Sequence, residues 1–114
     1  MDLIKCAEFV RLTRIKQLGL TYRLYPNATH TRFAHSLGVY DLANRIIKQF
    51  NCFSKNEANE LTAAALVHDF GHGPHSHAFE HYTQVEHEKY SKAIVLDPAT
   101  EVNKILLKYK IIAN

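Results

Sequence analysis

Apolar residues along this 114-residue chain recur with a helical period almost from end to end, and no useful stretch alternates apolar with polar as a half-buried strand would. That pattern restricts the fold to helices packed on helices, an all-α domain with residues 1–114 as one unit. Leu3 to Leu18 reads as a first helix, stopped by Gly19. Thr21 to His30 is the only extended-looking stretch, closed by a turn at Pro26-Asn27. A second helix is expected from Arg32 to Phe50. Ser54 and Glu57 have the spacing of a capping box and open a third helix, which runs to Asp69 before Gly71. Residues 74–95 read as broken helix. Asp97 as N-cap and Pro98 at the first helical position then start a last helix that buries Val102, Ile105, Leu106, Tyr109 and Ile112. The result is a bundle of about five helices with no internal repeat and no linker.

Composition narrows the function classes. Hydrophobic residues make up 46% and charged residues 22%, ordinary globular usage that argues against disorder. The longest unbroken apolar run, Ala63 to Val67, falls far short of the ~20 residues of a spanning helix. Asp2, Lys5 and Glu8 break up any signal peptide, so a cytoplasmic chain without a membrane partner is expected. Cys6 and Cys52 form no CxxC pair and read as reduced thiols, which excludes a disulfide framework or a zinc ribbon. Residues 1–57 carry nine Lys/Arg against four Asp/Glu, and residues 58–114 five against seven. This mildly basic balance suits an anionic ligand such as a nucleotide, while the absence of a Lys/Arg-rich block argues against nucleic acid.

Eight histidines are the unusual count, six of them between positions 68 and 87. On the second helix His35, Val39, Leu42 and Ile46 share one apolar stripe, expected to face the core. On the third, Leu61, Ala65, His68 and Asp69 fall on one face, so His68 and Asp69 point inward at its last turn. A buried carboxylate beside an imidazole needs a cationic partner. One divalent metal held by His68, Asp69 and His35 would supply it; a plain Asp–His pair beside a core histidine is the other reading. Two imidazole nitrogens and a carboxylate suit iron, manganese, nickel or zinc and are adequate for magnesium.

The run Arg32-Phe-Ala-His35-Ser-Leu-Gly-Val39, followed by His68-Asp69-Phe-Gly-His72-Gly-Pro-His-Ser-His77, resembles the HD superfamily of metal-dependent phosphohydrolases. Arg14-Ile-Lys-Gln-Leu-Gly19 and His87-Glu88 are similar to its deoxynucleoside triphosphate triphosphohydrolase (dNTPase) branch, and the likeness spans roughly residues 4 to 107. The resemblance implies an HD-domain helical bundle and hydrolysis of deoxynucleoside triphosphates to deoxynucleoside and inorganic triphosphate. It makes His35, His68 and Asp69 the metal ligands, and His72, His77 and His87 the lining of a phosphate channel. Arg32 is expected to contact phosphate, and Gln17 and Leu18 to face the deoxyribose. His87, its ring oriented by Glu88 or another acid, is the candidate general acid for the departing 5′-oxygen. Family members take a fourth metal ligand from a downstream Asp-x-x-Asp-Tyr-Leu-type helix that does not occur before Asn114. The chain is therefore expected to be a fragment cut at both ends, with uncertain activity of its own, from a family whose members form homo-oligomers.

Three rival readings stand beside this one. His77-Ala-Phe-Glu80-His81 fits the H-x-x-E-H pattern of inverted zinc peptidases. An incomplete HD module could bind metal and nucleotide without hydrolysis. An HD phosphatase or phosphodiesterase would act on nucleoside monophosphates or cyclic nucleotides.

Overall fold

The computed structural model describes residues 2–75, 77–84 and 86–112, excluding the side chains of His77 and Phe79. The described residues are all-helical, with six α-helices: α1 (Ala7–Val10), α2 (Arg32–Phe50), α3 (Lys55–Val67), α4 (His77–Thr83), α5 (His87–Leu96) and α6 (Glu101–Lys108). None of them is long and apolar enough to cross a membrane.

The middle of the molecule follows its local signals. Thr31 caps α2, its Oγ1 accepting from the Ala34 N–H at 3.3 Å, and Asn51 ends the helix in the left-handed conformation at φ 46°. The Ser54–Glu57 capping box forms in both directions. The short connection between α2 and α3 makes them antiparallel neighbours, so the start of one meets the end of the other. Phe9, Leu12, Leu66, Phe70 and Val102 are fully buried at the centre of the core, with the Phe33 ring 4.8 Å from that of Phe9 and tilted 58° to it.

Four expectations are corrected. The first helix is not continuous: 3-10 turns at Asp2–Lys5 and Arg11–Arg14 flank the single turn of α1, and Cys6 and Ile15 between and after them are extended. Long-range bonds decide this, because Ile15 O accepts from the Arg32 N–H at 2.9 Å and the Gln17 N–H donates to His30 O at 3.0 Å. A chain paired with residues 30–32 as an antiparallel bridge, Lys16 with Thr31, cannot also close helical turns. The stretch after Gly19 opens with a 3-10 turn at Thr21–Arg23 in place of extended chain, while the turn at Pro26-Asn27 forms as expected.

The last helix is capped by Thr100, whose Oγ1 accepts from the Asn103 N–H; Asp97 instead accepts from the Ala99 N–H in a turn around Pro98. Val102 and Leu106 of this helix are buried, whereas Tyr109 is exposed and ties to Asp2 through its hydroxyl. Finally, the covered face of α2 is Arg32, Ser36 and Ala43, with Leu42 and Ile46 exposed. The apolar stripe read from periodicity is therefore not the buried face of α2.

Candidate metal centre

Antiparallel packing brings the first turn of α2 against the turn that follows α3. His35 Nε2 lies 3.3 Å from His68 Nε2, and Asp69 reaches both, Oδ2 at 3.7 Å from His35 and Oδ1 at 3.3 Å from His68. The three ligand atoms all lie within 4.8 Å of one another. His68 Nδ1 is 2.9 Å from Ala65 O, a carbonyl that can only accept, so Nδ1 carries the proton and the Nε2 lone pair faces His35 and Asp69. Two imidazole nitrogens and a carboxylate oxygen converging in this way fit a divalent transition metal. A Zn–N bond of about 2.0–2.1 Å leaves two ligands on one ion about 3–4 Å apart, the spacing present here.

Asp69 is the floor of this centre, its side chain 3% exposed against 35% for His35 and 37% for His68. Burial alone would raise its carboxyl. The hydrogen bond from Arg32, 2.8 Å from Nη1 to Oδ2, and the charges around it outweigh burial and hold the carboxyl below the usual carboxylate range. Arg32 is itself only 2% exposed and also reaches Gln17 O at 3.5 Å from Nη2. The arginine expected to contact phosphate is thus built in behind Asp69 as its buried counter-ion.

A second grouping shares the same carboxylate. Ligand atoms of Asp69, His72 and His87 lie within 4.8 Å of one another, with His72 Nε2 3.5 Å from Asp69 Oδ1. The His72 and His87 rings stack at 3.9 Å and 17°. His87 meets Glu80 Oε1 twice, through its backbone N–H at 2.7 Å and through Nδ1 at 2.5 Å. The residue on His87 is therefore Glu80; Glu88 is exposed in the first turn of α5. Sequence reading overlooked Glu80 in this role, although an acid seven positions before a histidine across a helix break is compatible with it. His77 lies in the first turn of α4, and its side chain falls outside the described residues. Neither grouping includes His81, and Glu80 of the H-x-x-E-H pattern is turned to His87.

Gln17 and Leu18 do not sit in a helix. With Gly19, Leu20, Thr21, His75 and Ala78 they line an open groove of about 390 Å³.

Burial pushes the His72 imidazole down to about 4, with the Arg32 charge adding to the effect, so this ring is neutral at pH 7 and acts as a hydrogen-bonding group. In the metal-free chain this makes stability acid-sensitive. The unfolded state takes up a proton near 6.5 and the folded state only near 4, so between those values unfolding binds protons and stability rises with pH. Asp69 acts in the same direction at lower pH, its contribution present above 3.8 and lost as pH falls through its lower folded value. Urea unfolding of metal-free protein is expected to lose stability from pH 6.5 down to pH 4 with a limiting slope of about 1.4 kcal/mol per pH unit for one proton. His72→Gln should flatten that slope, and an unchanged slope in the variant would exclude His72 as its source.

A family model described as HD domain matches residues 32–112, and the chain belongs to the HD domain family. An uncharacterized protein of Bacillus subtilis, YwfO, is 47% identical over 111 residues, covering 94% of this chain and 25% of its own length. The deoxynucleoside triphosphate triphosphohydrolase SAMHD1 homologue of Dictyostelium discoideum is 42% identical over 86 residues, 70% of this chain and 17% of that protein. The crystal structure of a phosphohydrolase from Bacteroides thetaiotaomicron superposes with a TM-score of 0.79 at 36% identity, over 96% of this chain and 27% of that one. The chain thus spans between 17% and 27% of the length of these relatives.

Proposed function

We propose that this chain carries the metal-binding and phosphate-facing residues of an HD phosphohydrolase that cleaves deoxynucleoside triphosphates to deoxynucleoside and inorganic triphosphate. The observation that carries the reading is the double grouping around one buried carboxylate: His35 and His68 with Asp69, and the stacked His72–His87 pair with the same Asp69. The dNTPase-like motifs and the similarity to the SAMHD1 homologue support the choice of substrate.

His35, His68 and Asp69 would hold one divalent ion, which when bound supplies positive charge to a phosphoryl group and makes water a better nucleophile at neutral pH. Arg32 keeps Asp69 ionised and aimed. Neutral His72, buried between Asp69 and Glu80, supports the His87 ring stacked on it, and Gln17 and Leu18 offer a groove wall for the sugar. Water adds to the α-phosphorus as the bond to the 5′-oxygen breaks, with the water's proton passing to solvent. His87, fixed through Nδ1 by Glu80, delivers a proton from Nε2 to that oxygen, a contribution of ~10²–10⁴-fold for a well-placed general acid.

The test is release of inorganic triphosphate from deoxynucleoside triphosphates with added Mn²⁺, on this chain and on a version extended at its C-terminal side. Triphosphate from either form supports the reading, and His87→Ala should lower its rate by about 10²-fold or more. Orthophosphate from monophosphates, or a linear nucleotide from a cyclic one, would replace it with a phosphatase or phosphodiesterase. Metal binding without turnover in either form would leave a binding module.

A further inference from the structure

We propose that Ser91 is a positioning residue that locks α5, and His87 with it, onto the turn bearing the metal ligands; its catalytic consequence rests on the function proposed above. Ser91 is the one residue of α5 that is buried, at 7% exposure, while its apolar neighbours Ile94 and Val95 are only partly buried. Its hydroxyl makes two bonds, accepting from the Gly71 N–H at 2.8 Å and donating to His68 O at 2.7 Å. Those two backbone groups stand on either side of Asp69, so one side chain grips the turn before and after the carboxylate.

The contact is also close in the steric sense. A Cβ built on Gly71 would lie 2.5 Å from Ser91 N and overlap His87 O. His87 is four residues before Ser91, one turn along the same helix face. Apolar packing is non-directional and tolerates sliding. A two-sided hydrogen bond between a helix and a turn selects one register. Serine is the smallest side chain able to donate and accept at once. Through it, the register of α5 sets how far the His87 ring stands from Asp69 and from the His72 ring on which it stacks.

The experiment is a cycle of Ser91→Ala, His87→Ala and the double variant, with amide hydrogen exchange on the metal-free proteins. Ser91→Ala should lower kcat for triphosphate release by ~10–100-fold, the size of effect that a 1 Å misplacement produces. KM and metal content should change far less. In the His87→Ala background the same change should cost almost nothing, because its effect passes through that ring. Exchange at the Gly71 and His87 amides should quicken together in Ser91→Ala, the second amide being bonded to Glu80 and not to Ser91. Ser91→Cys, similar in shape but a weak hydrogen-bonding group, guards against gross misfolding and should fall between serine and alanine. Equal losses in both His87 backgrounds overturn the proposal. So does a His87 amide as protected in Ser91→Ala as in the parent. If the parent releases no triphosphate while both amides quicken, the proposed reaction fails and the coupling of α5 to the turn stands.

Discussion

Asp69→Ala is expected to abolish metal uptake and to destabilise the metal-free fold by about 3–5 kcal/mol, the penalty typical of leaving one member of a buried ion pair alone. Both effects trace to one carboxylate. It is the only anion in reach of His35 and His68 among the described residues, and its pair with Arg32 has both side chains 3% exposed. Removing it leaves a guanidinium inside the protein with its principal counter-charge gone. Asp69→Asn separates the two losses, because the amide oxygen can still accept from Arg32 while the anionic ligand is gone. It should lose metal as fully as the alanine variant but less stability. Metal content after dialysis and denaturant midpoints at pH 7 are the measurements, and undiminished metal in Asp69→Ala would remove the basis for the centre.

Gly71→Ala is expected to be more damaging than a methyl added at Gly19 or Gly38. Its new carbon would run into the backbone at His87 O and Ser91 N, neither of which can rotate away, so α5 must lift from the turn. Overpacking of this kind costs about 1–3 kcal/mol, with the loss of the Ser91 bridge in addition. Gly38→Ala is the control. It sits inside α2 with nothing within 4 Å of the added carbon. Relief of glycine's helix penalty should therefore raise stability by up to about 1 kcal/mol. Unfolding midpoints that move the same way in both variants would contradict the packing described for α5.

The two predictions draw on features of different legibility. The nearness of His35, His68 and Asp69 was legible through the motifs and not through the helical period of α2, and α2 and α3 obey their own caps at Thr31, Ser54 and Asn51. Where a segment answers to distant partners, local reading fails. Residues 15–17 look helical in isolation, yet their backbone pairs with residues 30–32. Asp97 and Thr100 are both good capping residues three positions apart, and the choice between them depends on where Ile94 O accepts the Thr100 hydroxyl. The apolar stripe His35, Val39, Leu42 and Ile46 is real in period, but period does not say which apolar face a neighbour covers, and Leu42 is 58% exposed. Glu80 on His87 and Ser91 on the Asp69 turn are contacts between helices separated by breaks, for which no spacing rule exists.

The unequal exposure of His35, His68 and Asp69 bears on how an ion held there would come and go. Its anionic anchor is sealed within the protein while both imidazoles border solvent. A chelator would therefore be able to approach a bound ion from the aqueous side and withdraw it without prising the helices apart. Loading and stripping should be reversible in the native state, at rates set by ligand exchange instead of by unfolding.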